Sequence, residues 1–232
     1  MLLKSWNDLP DFMKNEEVRP YYDVLKKHTV SLILKRVFDF SVSLILLLII
    51  WPILLIIALA VKLDSPGPAF YKQERVTTYG KRFRIWKFRT MVVNADKIGT
   101  QVTVSNDQRI TKTGRFLRGV RLDELPQIFN ILKGDMSFVG TRPEVVKYVN
   151  AYKPEYNATL LLPAGVTSEA SIRYKNEYEL LDKAADVDKV YIEQVLPEKM
   201  KWNLESVRRF SFLREVLTMI RTILAVFGKD YQ

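Results

Sequence analysis

The sequence contains no cysteine and only one histidine among its 232 residues. Without cysteine the chain can form no disulfide, no thiolate nucleophile, no iron–sulfur cluster and no cysteine-containing zinc site. The single histidine, His28, excludes multi-histidine metal sites and argues against a Ser-His-Asp catalytic triad. Any chemistry must therefore rest on carboxylates, hydroxyls, lysine, arginine and metal ions held by oxygen ligands.

Acidic residues are also few relative to basic ones. The chain has 26 Asp and Glu against 36 Lys and Arg, a formal net charge of +10. This balance predicts an anionic partner, which from composition alone is nucleic acid, anionic lipid or a phosphorylated substrate. A hydrophobic content of 48% is enough for a buried core, and the length fits one domain with or without an appendage.

Charge is absent from one long segment. The 18 residues from Leu44 to Val61 carry none, which is typical of a membrane helix. Pro52 lies in the middle and predicts a kink or break, because proline removes a backbone hydrogen bond. Basic residues flank both sides, namely Lys26, Lys27, Lys35 and Arg36 before the segment and Lys62, Lys72, Arg75, Lys81, Arg82 and Arg84 after it.

A single membrane crossing would place one of these basic flanks on the wrong side of the bilayer. Two arms of about ten residues, rising ~1.5 Å per residue, would reach ~15 Å, or about half the hydrocarbon core. The pattern therefore favours a re-entrant helical hairpin broken at Trp51-Pro52, with both ends on the cytoplasmic face. A single crossing remains the alternative.

The remaining patterns predict an α+β fold that is mostly helical. Ala69–Val76 and Phe83–Thr90 are typical of a short β-hairpin. Four regions are predicted: an N-terminal leader over 1–33, the re-entrant membrane helix over 34–63, a cytoplasmic catalytic domain over 64–205 and a C-terminal amphipathic helix over 206–232.

The C-terminal segment has apolar residues at helical spacing, with arginines on another face. This pattern fits a helix that packs on the core of the domain and equally an interfacial helix that lies on the bilayer. The sequence leaves both arrangements open.

An acidic pair, Asp123-Glu124, follows three arginines: Arg115, Arg118 and Arg121. Adjacent residues on an α-helix point about 100° apart, so one acid can face a reacting group while the other holds a metal. Nearby arginines keep a carboxylate ionised, which suits a nucleophile or a metal ligand but not a general acid. Taken alone, the pair is more typical of a solvated helix start, because adjacent acids are common and Asp favours the helix dipole there.

Two further clusters combine charge with glycine or with strand pattern. Gly134–Arg142 contains Asp135 and Arg142 beside glycines, which let backbone amides approach an anion. Lys87–Met91 places two cations on one strand. Together with the acidic pair, these clusters indicate a phosphoryl-transfer site.

The order of these motifs resembles the bacterial sugar transferase family, the monotopic phosphoglycosyl transferases that begin glycan assembly on a polyprenol carrier. The matching motifs, in chain order, are Lys35–Asp39, Asp64–Pro68, Lys87–Met91, Leu122–Gln127, Leu132–Ser137 and Val139–Pro143. The resemblance as a whole spans roughly residues 34 to 175. Six motifs in the same order make this resemblance specific.

The resemblance implies transfer of a sugar 1-phosphate from a nucleotide diphosphate sugar, expected to be UDP-linked, to a polyprenyl phosphate such as undecaprenyl phosphate. It implies that Asp123 is the covalent nucleophile, that Mg²⁺ is held by Glu124 with Asp123 beside it, and that an aspartyl-phosphosugar forms. It also implies a re-entrant helix broken at Pro52 and a location on the cytoplasmic face of the bacterial inner membrane.

Four cations are predicted to bind substrate phosphate: Lys87, Arg89, Arg118 and Arg142. The rival interpretation is a membrane-anchored protein that binds nucleic acid or anionic lipid without catalysis. Acids and glycines interleave with the basic residues, which argues against that rival, so no nucleic-acid partner is expected. The segment Pro163–Ser168 departs from the family pattern, so the identity of the sugar does not carry over.

Overall fold

A computed structural model describes residues 2–95, 107–174 and 186–226, together with residue 184. The helices in these ranges are α1 (Arg19–Lys27), α2 (Thr29–Asp64), α3 (Lys112–Gly119), α4 (Ile128–Lys133), α5 (Val146–Val149), α6 (Glu169–Arg173), α7 (Val187–Val190), α8 (Leu196–Arg208) and α9 (Phe212–Val226). The strands are β1 (Phe70–Val76), β2 (Arg82–Phe88), β3 (Met136–Val139) and β4 (Ala164–Thr167). The predicted class, mostly helical with a short antiparallel hairpin, is confirmed.

The predicted hairpin consists of β1 and β2, which pair in antiparallel register with Tyr71 opposite Lys87. A second, parallel pair joins β3 to β4 and was not predicted. Two glycines allow the chain to approach itself beside that pair, since a Cβ on Gly165 would lie 2.2 Å from the backbone nitrogen of Gly140. Four-residue strands separated by a long connection leave no periodicity that a sequence reading can detect.

Helix α2 is long and apolar enough to cross a membrane, judged by length and composition. It continues through Pro52, so the predicted break at Trp51-Pro52 is not confirmed. A proline inside a helix removes one backbone hydrogen bond. Packing of Ile50 and Leu54 against the domain on either side of Pro52 supports the helix across that defect.

One face of α2 lies along the rest of the domain. Its buried positions recur every third or fourth residue at Leu32, Lys35, Asp39, Ser43, Leu54, Ile57 and Val61. The opposite face exposes large apolar side chains such as Leu48, Ile49 and Ile56. The helix therefore has a packed stripe and an apolar outer surface.

Charged residues fix the first half of α2 to the domain. The ammonium group of Lys35 donates to the carbonyl of Val139 over 2.7 Å and forms an ion pair with Glu215 of α9. One carboxylate oxygen of Asp39 accepts from the backbone N–H of Phe138 over 3.2 Å. We call Lys35, Asp39 and Glu215 the anchor cluster.

The residues that precede α2 belong to the main core. Tyr21, Tyr22 and Leu25 of α1 are buried in the same apolar cluster as Leu161 and Leu196, which come long after α2. The described part of the predicted leader 1–33, residues 2–33, therefore packs against the C-terminal half of the chain. The residues that precede α2 and those that follow it therefore belong to the same hydrophobic core.

The predicted amphipathic segment 206–232 contains the end of α8 and all of α9, and its residues 227–232 lie outside the described residues. Phe210 is buried between the two helices, and Ser211 accepts a hydrogen bond from the backbone of Arg214 at the start of α9. Polar side chains of α9 face the protein: Thr218 donates to Glu169 over 2.9 Å. Leu213 is 73% exposed, so the apolar face of α9 points outward.

Candidate active site

The acidic pair lies on a 3₁₀-helix, Leu122–Gln127, so the separation of about 100° that an α-helix gives adjacent residues does not apply. Arg121, directly before it, adopts a left-handed conformation with φ of 56°. Such a conformation is uncommon for a residue with a side chain, and it reverses the chain between α3 and the acids. With three residues per turn, Asp123 and Glu124 point about 120° apart, so their side chains enter different surroundings.

Glu124 is held by two cations from different parts of the chain. Its Oε1 atom accepts from the ammonium of Lys87 on β2 over 2.8 Å and from the guanidinium of Arg142 over 2.6 Å. Burial alone would raise the pKa of Glu124, but Arg142 and Lys87 outweigh burial and hold that pKa well below its ordinary value. Glu124 is therefore ionised at neutral pH.

Asp123 has different surroundings. It lines a cavity of about 620 Å³, whereas Glu124 does not. Burial raises the pKa of Asp123, with Lys87 and Arg118 acting in the opposite direction. Within the described ranges Asp123 forms no ion pair and Glu124 forms two, so the carboxylate of Asp123 is available to a molecule in the cavity.

Arg118 comes from α3 and lines the same cavity. Its Nε donates to the hydroxyl of Thr90 over 2.9 Å, which orients the guanidinium. Burial lowers the pKa of Arg118, and the negative charge of Asp123 opposes this effect. The structure thus brings together three of the four predicted phosphate-binding cations, Lys87, Arg118 and Arg142, around the acidic pair.

Arg89 has another set of contacts. Its terminal nitrogens donate to the carbonyl oxygens of Ser65 over 2.6 Å and of Pro66 over 2.7 Å, just after the end of α2. Gly67 has φ of 117°, and a Cβ there would lie 2.2 Å from Nη1 of Arg89. In this structure Arg89 ties the end of α2 to β2, and phosphate binding by Arg89 stays a prediction.

The donor set fits Mg²⁺ only in part. The described residues contain no group of three or more His, Asp and Glu side chains that could hold a metal ion by themselves. Mg²⁺ in phosphate-transferring sites is commonly bound by one or two carboxylates together with substrate phosphates and water. Asp123, and the Oε2 atom of Glu124, match that requirement for an ion that arrives with a diphosphate.

Sequence reasoning missed two polar residues in the cavity wall, Gln73 and Arg75 of β1. Nε and Nη2 of Arg75 both donate to Oε1 of Gln73, over 3.2 and 2.6 Å. Nη1 of Arg75 donates to the carbonyl of Pro143, next to Arg142, over 3.2 Å. The sequence could have indicated these two residues. Tyr71, Gln73 and Arg75 are spaced by two along β1 and therefore share a strand face with Lys87, which is paired with Tyr71 in the hairpin.

Taken together, a carboxylate faces a large cavity, and three cations surround it and its neighbour. Three cations against two carboxylates leave a positive surplus, which is suited to a substrate that carries several negative charges. An exposed carboxylate beside cations can attack phosphorus, and the cations can stabilise the negative charge that develops on phosphoryl oxygens. The geometry is compatible with phosphoryl transfer through a covalent intermediate.

Comparison with known proteins adds independent information. The family model described as bacterial sugar transferase matches residues 30–229. The UDP-glucose:undecaprenyl-phosphate glucose-1-phosphate transferase of Escherichia coli K12 is 37% identical over 220 residues, which cover 93% of this chain and 44% of that protein. The UDP-N-acetylgalactosamine-undecaprenyl-phosphate N-acetylgalactosaminephosphotransferase of Aeromonas hydrophila is 35% identical over 201 residues, covering 84% of this chain and 44% of that protein.

A shorter relative is matched over more of its length. The UDP-glucose:undecaprenyl-phosphate glucose-1-phosphate transferase of Caulobacter vibrioides is 33% identical over 200 residues, covering 84% of this chain and 70% of that protein. The chain thus spans less than half the length of the Escherichia coli and Aeromonas relatives that it matches.

Proposed function

The chain belongs to the bacterial sugar transferase family, and from this premise we propose that it transfers a sugar 1-phosphate from a UDP-sugar to undecaprenyl phosphate. The relatives named above use UDP-glucose or UDP-N-acetylgalactosamine with undecaprenyl phosphate, which supports the two substrate classes. The observation that carries the proposal is the carboxylate of Asp123, which faces a cavity of about 620 Å³ beside Lys87 and Arg118.

In the first step an oxygen of Asp123 attacks the sugar-bearing phosphorus of the UDP-sugar. The bond from that phosphorus to the bridging oxygen breaks, and UMP leaves with the bridging oxygen. Lys87, Arg118 and Arg142 stabilise the negative charge on the phosphoryl oxygens. Mg²⁺, held by Glu124 and Asp123, would neutralise further charge on the diphosphate when bound.

In the second step a phosphate oxygen of undecaprenyl phosphate attacks the phosphorus of the aspartyl-phosphosugar. The bond between phosphorus and the Asp123 oxygen breaks, which regenerates the carboxylate and gives a sugar linked to the lipid by a diphosphate. Because a carboxylate serves as nucleophile, the reaction needs neither the cysteine nor the additional histidines that this chain lacks.

Incubation with UDP-sugar in the absence of lipid tests the covalent step. We expect release of one UMP per enzyme and a phosphosugar adduct on the peptide that contains Asp123, with no adduct in Asp123→Asn. Asp11→Asn is the matched control, because Asp11 is an exposed acid that pairs with Lys14 and is distant from Asp123 in the sequence. This variant should form the adduct normally. UMP release that requires the lipid, without a trapped adduct, would mean that the lipid phosphate attacks directly.

We further propose that α2 penetrates the bilayer from the cytoplasmic face without crossing it, so that both of its ends stay on that face. Residues before and after α2 share one hydrophobic core, and Arg89 binds the backbone just after α2, so both ends of the helix belong to the same folded body. A single crossing would place these parts of the core on opposite sides of the membrane. The outward apolar face of α9 supports contact of that helix with the same membrane surface.

Topology can be tested by labelling single cysteines, since the native chain has none. Lys27→Cys lies just before α2 and Lys112→Cys lies on the domain after it, and both positions are exposed. In intact cells an impermeant maleimide should label neither position until the inner membrane is opened. Labelling of one position alone from outside would establish a single crossing.

The rival function, binding of anionic lipid or nucleic acid without catalysis, predicts another result. Such a protein would bind anionic vesicles or nucleic acid in a salt-dependent way and release no UMP from any UDP-sugar. A panel of UDP-sugars assayed for UMP release with undecaprenyl phosphate separates the two functions and identifies the sugar.

A further inference from the structure

We propose that the side-chain amide of Gln73 donates a hydrogen bond to a carbonyl oxygen of the bound nucleotide sugar and that Arg75 positions this amide. The inference rests on the proposed function and deepens it, because it assigns a specificity-determining residue to the cavity. Two parts of a nucleotide sugar carry such an oxygen: the uracil base and the acyl group of an N-acetylated sugar.

The orientation of the amide follows from the chemistry of its neighbour. A guanidinium group has N–H donors and no acceptor, so the amide atom that Arg75 contacts must be the oxygen. Two nitrogens of Arg75 hold that oxygen over 3.2 and 2.6 Å. The amide nitrogen of Gln73 is therefore directed away from Arg75, with both N–H groups available to a ligand.

Arg75 is itself held in place. Its third nitrogen donates to the carbonyl of Pro143 over 3.2 Å. The backbone N–H of Val76 donates to the carbonyl of Glu144 over 3.0 Å, which fastens the same loop to β1. Burial lowers the pKa of Arg75, and the charge of Glu144 opposes that effect. The pair of Gln73 and Arg75 is thus preorganised by the loop that carries Arg142.

The position of Gln73 relative to the reacting groups follows from the hairpin register. Tyr71 lies opposite Lys87, and side chains two residues apart on a strand share a face. Gln73 is therefore on the same face as Lys87, displaced along the strand by ~7 Å, from a rise of ~3.3–3.4 Å per residue. Lys87 contacts Glu124 and marks the predicted phosphate site. Gln73 therefore lies beside that site, in the wall of the same cavity.

A neutral amide donor at this distance suits a neutral acceptor. The phosphates are expected beside Asp123, where Lys87 and Arg118 line the cavity. A carbonyl oxygen next to the diphosphate, on the base or on the sugar, meets the N–H groups of Gln73. An amino group in its place, as on cytosine, would bring donor against donor and be rejected.

Two substitutions at Gln73 test the assignment. Gln73→Leu removes the donor, and Gln73→Glu keeps the shape and the contact with Arg75 but presents an acceptor. Arg82→Gln, on the exposed outer part of the same hairpin, is the matched control. For each protein, calorimetry gives the affinities for UDP and CDP, and UMP release gives KM and kcat for UDP-glucose and UDP-N-acetylglucosamine.

If the carbonyl at C4 of the uracil base, where cytosine has an amino group, accepts the bond, the wild type should prefer UDP over CDP by about tenfold, and both Gln73 variants should lose that preference. If the acyl group supplies it, the UDP-to-CDP ratio should not change, and the ratio of the two KM values should shift by a similar factor. In both cases KM should change more than kcat, because the contact is distant from the reacting phosphorus.

Retention of both ratios in a folded Gln73→Glu protein would overturn the inference. A wild type that binds UDP but releases no UMP would contradict the proposed function instead, and the calorimetric comparison of UDP with CDP would then decide the role of Gln73 separately. Thermal melting of each variant identifies any protein that fails to fold, and Gln73→Glu is chosen because its ion pair with Arg75 favours folding.

Discussion

Two groups of buried charges in this molecule each contain a lysine paired with a glutamate, and they differ in what surrounds the pair. In the anchor cluster one lysine, Lys35, faces two acids, Asp39 and Glu215. Around the acidic pair, Lys87, Arg118 and Arg142 face two acids, Asp123 and Glu124. The anchor cluster has a surplus of acid, and the candidate site has a surplus of cation.

The two surpluses have different consequences. The anchor cluster satisfies its charges with backbone groups, since Lys35 donates to Val139 and Asp39 accepts from Phe138. Burial raises the pKa of Glu215, whereas Arg142 and Lys87 overcome burial and lower that of Glu124. The anchor cluster is neutralised within the protein and holds α2 in place, while the cluster around Asp123 and Glu124 opens onto a cavity with cations in excess.

The largest effect is expected for Asp123→Asn, which should lower activity without lowering stability. Asp123→Asn should lower turnover by at least ~10³-fold, as for the loss of other nucleophiles. Its thermal stability should not fall, because the raised pKa of Asp123 means that folding disfavours its ionised form at neutral pH. Activity assays and melting curves of the same preparation test both halves.

Glu124→Gln is the matched comparison. It should also lower activity strongly, but in addition it should destabilise the fold, because Lys87 and Arg142 lose a carboxylate partner. The depressed pKa of Glu124 makes its stabilising charge available above the unfolded pKa, and this contribution is lost as pH falls through the lower folded value. Equal melting temperatures for Asp123→Asn and Glu124→Gln would contradict the conclusion that Glu124, but not Asp123, stabilises the fold through its ion pairs.

The acidic pair could be found from sequence because it lies in a contiguous motif with arginines before it. Its geometry could not, because the left-handed conformation of Arg121 and the 3₁₀-helix depend on how α3 and α4 pack. Arg89 illustrates the same limit. Arg89 lines the cavity with Asp123, but its contacts with the carbonyls that directly follow α2 could not be read from its charge.

The next effect concerns the anchor cluster and should appear in stability. Lys35→Met leaves Glu215 buried without its cation, which should cost about 3–5 kcal/mol of the free energy of unfolding. Chemical denaturation in detergent or nanodiscs measures this loss. Adding Glu215→Met should recover part of it, because replacing a buried ion pair by apolar residues is often neutral, while Asp39 stays buried without its cation.

If the double variant is folded and active, the anchor cluster acts only in structure. A double variant that is folded but inactive would show that the anchor cluster contributes to function as well, and the contrast between the clusters would fail.

Helix α2 shows which of its features can be predicted from sequence periodicity. Its existence and approximate bounds follow from a charge-free run, yet the packed stripe along it does not, because leucine and isoleucine occupy both faces. The core position of residues 1–33 was equally hidden. Short turns and single buried aromatic residues such as Tyr21 acquire meaning only through contacts with distant parts of the chain.

A smaller effect is expected where a neutral side chain supports the candidate site. Asn130 of α4 accepts from the N–H of Trp86 over 3.0 Å and donates to the carbonyl of Arg84 over 2.9 Å, on the strand that carries Lys87. Asn130→Ala leaves these two backbone groups, whose hydrogen bonds are partly buried, without this partner and should cost about 1 kcal/mol. Asn150→Ala, at an exposed position, is the control and should melt with the wild type.

The smallest effect is expected for an ion pair that belongs to neither cluster. Arg82 and Glu74 face each other across the hairpin over 3.4 Å, and more than half of each side chain is exposed. Water screens such a pair and leaves both side chains mobile, so Arg82→Gln should change the free energy of unfolding by about 0–1 kcal/mol. Denaturation at low and high salt checks this value. A loss as large as that of Lys35→Met would mean that burial is not what distinguishes the charge pairs of this protein.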